Sequence, residues 1–214
     1  MNSIVKISNL NLANIKVIET NHLTDERGSN DKLFSEADLK ANGIEFLPKE
    51  LLLIHSNKNV LRGLHFQRKY EQSKIISCTK GKLFLAIVNI NPQSMDVGKS
   101  CTYVLDEAKY HIYVPCGYAV GTYAVEDADF ICMCGENPFV PEYASGIRWN
   151  DPTINIKWPT GGECELIISK ADQKLPTFKS VMEEMRAYEE INVDLLIMDK
   201  FYEADWHVPE GEFG

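Results

Sequence analysis

The chain contains no apolar run long enough to cross a bilayer or act as a secretion signal, and Met1 to Asn11 mixes polar with apolar residues. The expectation is a cytoplasmic protein with no membrane contact. A basic excess is also missing. Its 22 Lys and Arg face 31 Asp and Glu, a net charge of -9, so nothing supplies the positive stripe that a nucleic-acid backbone requires. A few well-placed cations still suffice for one phosphorylated ligand. No CxxC pair occurs among Cys78, Cys101, Cys116, Cys132, Cys134 and Cys164, which reads as reduced thiols rather than a disulfide framework or zinc site. The histidines (His22, His55, His65, His111 and His207) form no HxH or HxxxH pair, and Gln67 stands where a second imidazole would follow His65. No metal site is expected. Internal repeats and low-complexity segments are absent as well.

What is present is ordinary for a globular protein: 44% hydrophobic and 25% charged residues in 214, enough for one large domain or a domain with an appendage. Short apolar stretches at 51–54, 73–78, 83–90, 110–114, 121–125, 130–134 and 164–169 alternate with turn residues such as Gly81, Asn91-Pro92 and Pro115. That spacing predicts an all-β, antiparallel sandwich or barrel. Helical signals are sparse. One short helix is expected over 35–42, ending before Gly43. A second follows Pro176, where Ser180 and Glu183 form a capping box and Val181, Met185 and Tyr188 an apolar stripe. Beyond 191 an apolar patch (193–198) leads into an acidic, aromatic tail, expected to pack on the barrel or on a partner subunit.

Chemistry concentrates in residues 62–67, RGLHFQ, with Lys74 seven positions after Gln67. Regular alternation would put Arg62, Leu64 and Phe66 on one strand face, and Gly63, His65 and Gln67 on the other, inside the barrel. Histidine is the side chain best suited to take a proton near neutrality, and a nearby Lys or Arg would stabilise an enolate oxygen or hold a phosphate. The same pattern also fits a satisfied structural histidine. Asp172 is a candidate to orient His65 through its second ring nitrogen, a contact that spacing leaves open. Tyr118 is read either as a stacking residue at the site mouth or as a rim aromatic. Arg148 and Trp149 are read as staples between strands, and Cys132 and Cys134 share a face if their strand is regular.

Taken in order, DERG (25–28), VLRGLHFQ (60–67), VPCGYA (114–119), GIRWNDP (146–152), WP (158–159) and SKAD (169–172) resemble the successive motifs of the dTDP-4-dehydrorhamnose 3,5-epimerases over residues 12–178. The resemblance implies a cupin-type jelly-roll barrel over 1–178, followed by a C-terminal helix and tail over 179–214. It further implies a homodimer, a nucleotide-diphosphate-linked 4-keto-6-deoxy sugar as substrate, and no metal or organic cofactor. Carried over position by position, it makes His65 the base, Asp172 its carboxylate partner and Lys74 the enolate-stabilising cation. Arg62 becomes a phosphate or substrate contact, and Arg27 a contact to the nucleotide. Gln67, on the His65 face by alternation, is a further candidate substrate contact.

Two positions depart from the family pattern. Val120 replaces a histidine, and Cys132 replaces the tyrosine that acts as acid on the opposite face. The segment after Arg27, SNDK (29–32), also lacks the usual Phe and Glu, which points away from thymidine. A thiol can donate a proton as a phenol does, so either Cys132 or water returns it. Epimerisation at C3, at C5 or at both therefore stands beside a ketoisomerase and a non-catalytic sugar-nucleotide binder. A buried core thiol is the competing reading of Cys132.

Overall fold

The computed structural model describes residues 4–161 and 165–187. In chain order its strands are β1 (Ile4–Asn9), β2 (Lys16–Thr20), β3 (His22–Asp25), β4 (Gly28–Asp31), β5 (Pro48–Ser56), β6 (Val60–Gln67), β7 (Lys74–Lys80), β8 (Leu83–Asn89), β9 (Ser100–Leu105), β10 (Tyr110–Val114), β11 (Tyr118–Ala124), β12 (Ala128–Gly135), β13 (Ala144–Gly146) and β14 (Ile167–Ile168). A short helix, α1 (Glu36–Ala41), lies between β4 and β5. One sheet has the order β1-β2-β10-β7-β12-β5. The other runs β13-β6-β11-β8-β9, with β14 parallel to β6. Strands β3 and β4 form a hairpin sheet of their own. The expected all-β, cupin-type jelly roll is what the chain forms.

Apolar residues on the facing sides of the two sheets explain why they pack. Val17, Ile76, Ile112 and Phe130 from the first meet Leu83, Leu85, Ile87, Leu105 and Val120 from the second in one inner core. The outer sides are covered too. α1 and the turn after it lay Leu39, Ile44 and Phe46 on Ile18, Ile75 and Met133 of the first sheet. Residues 147–182 bring Ile147, Ile154, Phe178, Val181 and Met182 onto Leu61, Leu64, Phe84 and Tyr123 of the second. Covering both faces leaves every residue of β8 and β11 buried, so those strands read as continuous apolar runs.

The expected helices form with one correction. Ser35 caps α1 by accepting a hydrogen bond from the Asp38 amide at 3.4 Å. The second helix begins a turn earlier than the capping-box reading. Residues 178–187 are helical, and Thr177, not Ser180, is the cap, its Oγ1 accepting from the Ser180 amide at 3.2 Å. The earlier start buries Phe178, Val181 and Met182 on the second sheet; each such side chain contributes about 1.5–3 kcal/mol. Asp151 fixes the join, accepting from the Phe178 amide at 2.9 Å and from the Thr153 amide at 2.9 Å. Tyr188, Cys164 and the tail lie outside the described residues, and of the stretch expected at 164–169 only Ile167–Ile168 is strand.

Candidate active site

An extra residue in β6 decides which side chains turn to the inner side of the second sheet. His65 pairs with Val120 of β11, whereas Arg62 pairs with Thr122, so three steps on β6 are matched by two on β11. Gly63 sits at this bulge with φ +101°, and a Cβ there would lie 2.7 Å from the Val120 carbonyl oxygen. Only glycine fits. Regular alternation therefore fails. Arg62 and His65 share a side with Val120 and Thr122, while Leu61, Leu64 and Phe66 enter the core under the 147–182 segment. Val120, where the family usually carries histidine, packs in the inner core directly across from His65.

The same bulge frees a backbone donor. The Gly63 amide donates to Asp172 Oδ2 at 3.1 Å, and Asp172 Oδ1 meets His65 Nε2 at 2.7 Å. Asp172 opens a 3-10 turn (Asp172–Lys174) held by Ser169, whose Oγ accepts from the Asp172 amide at 3.0 Å. Ser169 opens the SKAD motif, and this supporting role was not read from the sequence. Burial pushes the Asp172 carboxyl up. The His65 bond and charge, the Gly63 amide and Arg62 outweigh it and hold the group below its ordinary range. It is a carboxylate, and a carboxylate only accepts. His65 Nε2 thus carries a proton, and in the neutral imidazole the lone pair is on Nδ1.

The other described histidines differ. Both ring nitrogens of His111 are engaged in the interior, Nδ1 with Ser77 Oγ at 2.7 Å and Nε2 with Thr20 Oγ1 at 3.0 Å. His22 and His55, both exposed, pair with Asp31 and Asp129. His65 has a buried orienting carboxylate and half its side chain open.

On the other sheet, facing inward, stand Lys74 and the two thiols. Lys74 of β7 is paired with Cys134 of β12, and Ile76, an inner-core residue, with Cys132. Lys74 and both cysteines therefore face inward, as β6 carries His65 inward from the second sheet. Lys74 Nζ has one long contact, 3.5 Å to the Gln72 carbonyl. Cys132 Sγ and Cys134 Sγ are 3.9 Å apart. Hydrogen bonding to Cys134, together with burial, raises the Cys132 thiol well above its ordinary range. The hydrogen bond received from Cys132, reinforced by Lys74, lowers Cys134 to about 7 against the effect of burial. Glu71, also missed in the sequence, lies half-buried at this end. Burial raises its carboxyl, opposed by the Gly117 amide and Lys74.

Three expected contacts sit elsewhere. Tyr118 is not at a site mouth: its ring is 8% exposed in the inner core, and its hydroxyl donates to the Ala13 carbonyl at 2.6 Å. The Gln67 amide is spent on loop backbone, donating to the Tyr70 and Pro138 carbonyls and accepting from the Val140 amide. Arg27 occupies the exposed turn of the β3–β4 hairpin and pairs with its own Asp25. Arg62 remains beside the dyad, anchored on Ser56 Oγ at 3.1 Å and the His55 carbonyl at 3.2 Å. Trp149 lies in a turn after β13, its carbonyl accepting from Trp158 Nε1 at 2.8 Å, and both rings pack against the core on the outer side of the second sheet.

Comparison with known proteins fits this geometry. Residues 9–180 match the profile of the dTDP-4-dehydrorhamnose 3,5-epimerases. The chain belongs to that family. The epimerase of Methanothermobacter thermautotrophicus is 35% identical over 158 residues, 73% of this chain and 85% of the relative. That of Escherichia coli is 40% identical over 130 residues, 59% of this chain and 69% of the relative. Among solved structures, a dTDP-6-deoxy-D-glucose-3,5-epimerase from Legionella pneumophila in complex with dTDP-4-keto-L-rhamnose superposes with a TM-score of 0.79. It is 30% identical, and the match covers 84% of this chain and 96% of that one. As a member of the epimerase family the protein is an isomerase.

Proposed function

We propose that this epimerase inverts C3, C5 or both in a nucleotide-diphosphate-linked 4-keto-6-deoxy sugar, with His65 as base, Lys74 as enolate-stabilising cation and Cys132 as opposite-face acid. The observation that carries this reading is the His65–Asp172 contact at 2.7 Å, on the opposite sheet from Lys74 and Cys132. A sugar ring held between the sheets loses the proton α to its ketone to His65 Nδ1. The negative charge that develops on the carbonyl oxygen is met by Lys74. Cys132, whose thiol keeps its proton at neutral pH, returns one from the far side. Arg62, beside the dyad, is assigned to the diphosphate. The relatives' names make dTDP the first nucleotide to test.

The surface supports a homodimer in the same proposal. β5 is an open sheet edge carrying Leu51, 67% exposed, and Leu53, 62% exposed, and the β3–β4 hairpin packs into neither sheet. A bare apolar edge and a lone hairpin are both completed by a second copy. The free thiols among the described residues suit the cytoplasm, and no described helix is long and apolar enough to cross a membrane.

NMR of the products formed from dTDP-4-keto-6-deoxyglucose tests the reaction. A small axial–equatorial H2–H3 coupling is expected on inversion at C3, and new H5 and methyl shifts on inversion at C5; carbonyl migration would mean a ketoisomerase, and ligand binding without conversion a binding protein. Cys132→Ala tests the acid: inversion should fall about 10²- to 10³-fold. Proton exchange at the same carbon should continue with retained configuration, because His65 returns what it takes. Undiminished inversion in Cys132→Ala would remove the thiol from the mechanism.

A further inference from the structure

We propose that Cys132 and Cys134 are a hydroperoxide-sensitive dithiol, whose reversible closure to a disulfide switches the epimerase off. The two stand at positions i and i+2 of β12, so their side chains leave the same face. Their sulfurs are already in contact at 3.9 Å. Ile76 and Lys74 stand opposite them on β7, and β12 loses its regular register immediately after Cys134, which gives that end of the strand room to adjust. Residues two apart in a strand are about 6.6–6.8 Å apart. This is the upper limit of the Cα separation a disulfide spans. The bond is therefore attainable and strained, and a strained bond is readily reduced again.

The surroundings favour the chemistry. Cys134, held down to about 7 by the Cys132 hydrogen bond and Lys74, supplies thiolate at neutral pH, the reactive form. The remaining described cysteines lack these features. Burial raises Cys101 and Cys116 to about 11, and Cys78 is raised too. A hydroperoxide is smaller than the sugar the cavity is read as admitting. The Cys134 thiolate attacks the peroxide oxygen, the O–O bond breaks, and a sulfenic acid forms with release of hydroxide. The Cys132 sulfur then displaces the sulfenic oxygen, which leaves as water with the Cys132 proton. Two thiols and one hydrogen peroxide become one disulfide and two waters. The chemistry of the pair stands alone, whereas its effect on turnover rests on the Cys132 acid reading.

The test treats the full-length protein with hydrogen peroxide and follows mass, peptide map and activity together. The expected result is a peptide containing both cysteines that becomes about 2 Da lighter, two hydrogens lost. Inversion should fall with the closed fraction, to the level of Cys132→Ala when closure is complete. A dithiol reductant should restore both, and Cys134→Ala should show no mass loss at this peptide. Sulfinic or sulfonic acid at Cys132 or Cys134 without the lighter peptide, or no reaction there, overturns the proposal even if Cys132→Ala is inactive. A disulfide that forms and leaves inversion unchanged overturns the switch and the acid reading together, and leaves only the oxidisable pair.

Discussion

Asp172→Asn is expected to lower turnover about 10⁴-fold, the scale seen when a base histidine is held in the wrong tautomer, while the protein stays folded. The carboxylate has two partners, the Gly63 amide at Oδ2 and His65 at Oδ1. An asparagine at this place keeps the Gly63 bond only by turning its oxygen to that amide. Its NH2 then faces His65 Nε2, which must accept. The ring proton moves to Nδ1, and the lone pair that takes the substrate proton is gone. Both buried contacts remain satisfied, so thermal unfolding should barely shift. Turnover within tenfold of wild type would show that Asp172 does not set the His65 tautomer. Asp172→Ala, by contrast, strands the Gly63 amide and should cost stability as well.

Stability should fall by roughly 3 kcal/mol between pH 6.5 and 4 through one group alone, His111. Desolvation, partly offset by the charge of Asp31, lowers its pKa to about 4 from the ordinary 6.5. In the unfolded chain the imidazole binds a proton as the pH drops below 6.5; in the folded chain it stays neutral until about 4. The unfolded state therefore binds more protons across that window, and stability rises with pH there. The contribution is fully present above 6.5, is lost progressively on acidification, and is constant below 4. Denaturant unfolding of wild type and His111→Gln at several pH values checks this. The difference between them should shrink toward acid, and a pH-independent difference would contradict the assignment.

How far these conclusions were legible in the sequence depended on whether the controlling contact was local. The 110–114 and 130–134 stretches were readable because turns bound short, strongly β-forming runs. The hairpin at His22–Asp31 was not, since its strands are almost wholly exposed and polar and carry no apolar period. Gly63 gave a signal that regular alternation overrode: a glycine inside a strand often marks a bulge, and here it turns Arg62 toward His65. The Tyr118 hydroxyl finds its partner at Ala13, 105 residues away, so nothing near Tyr118 in the sequence foretold its burial. Thr177 was overlooked as a cap because Ser180 and Glu183 made the better local pattern, whereas burial of Phe178 chose the start. The His65–Asp172 pair spans 107 residues. Family resemblance suggested it; spacing did not.

Everything catalytic depends on the His65 imidazole removing a proton from the sugar ring. Incubating the protein with dTDP-4-keto-6-deoxyglucose in D2O, and reading deuterium at each ring carbon by mass spectrometry and NMR, measures that step directly. Wild type should place deuterium at C3, C5 or both. His65→Ala should lose this exchange by at least about 10²-fold, and Cys132→Ala should keep it. Exchange at the wild-type rate in His65→Ala would contradict the account.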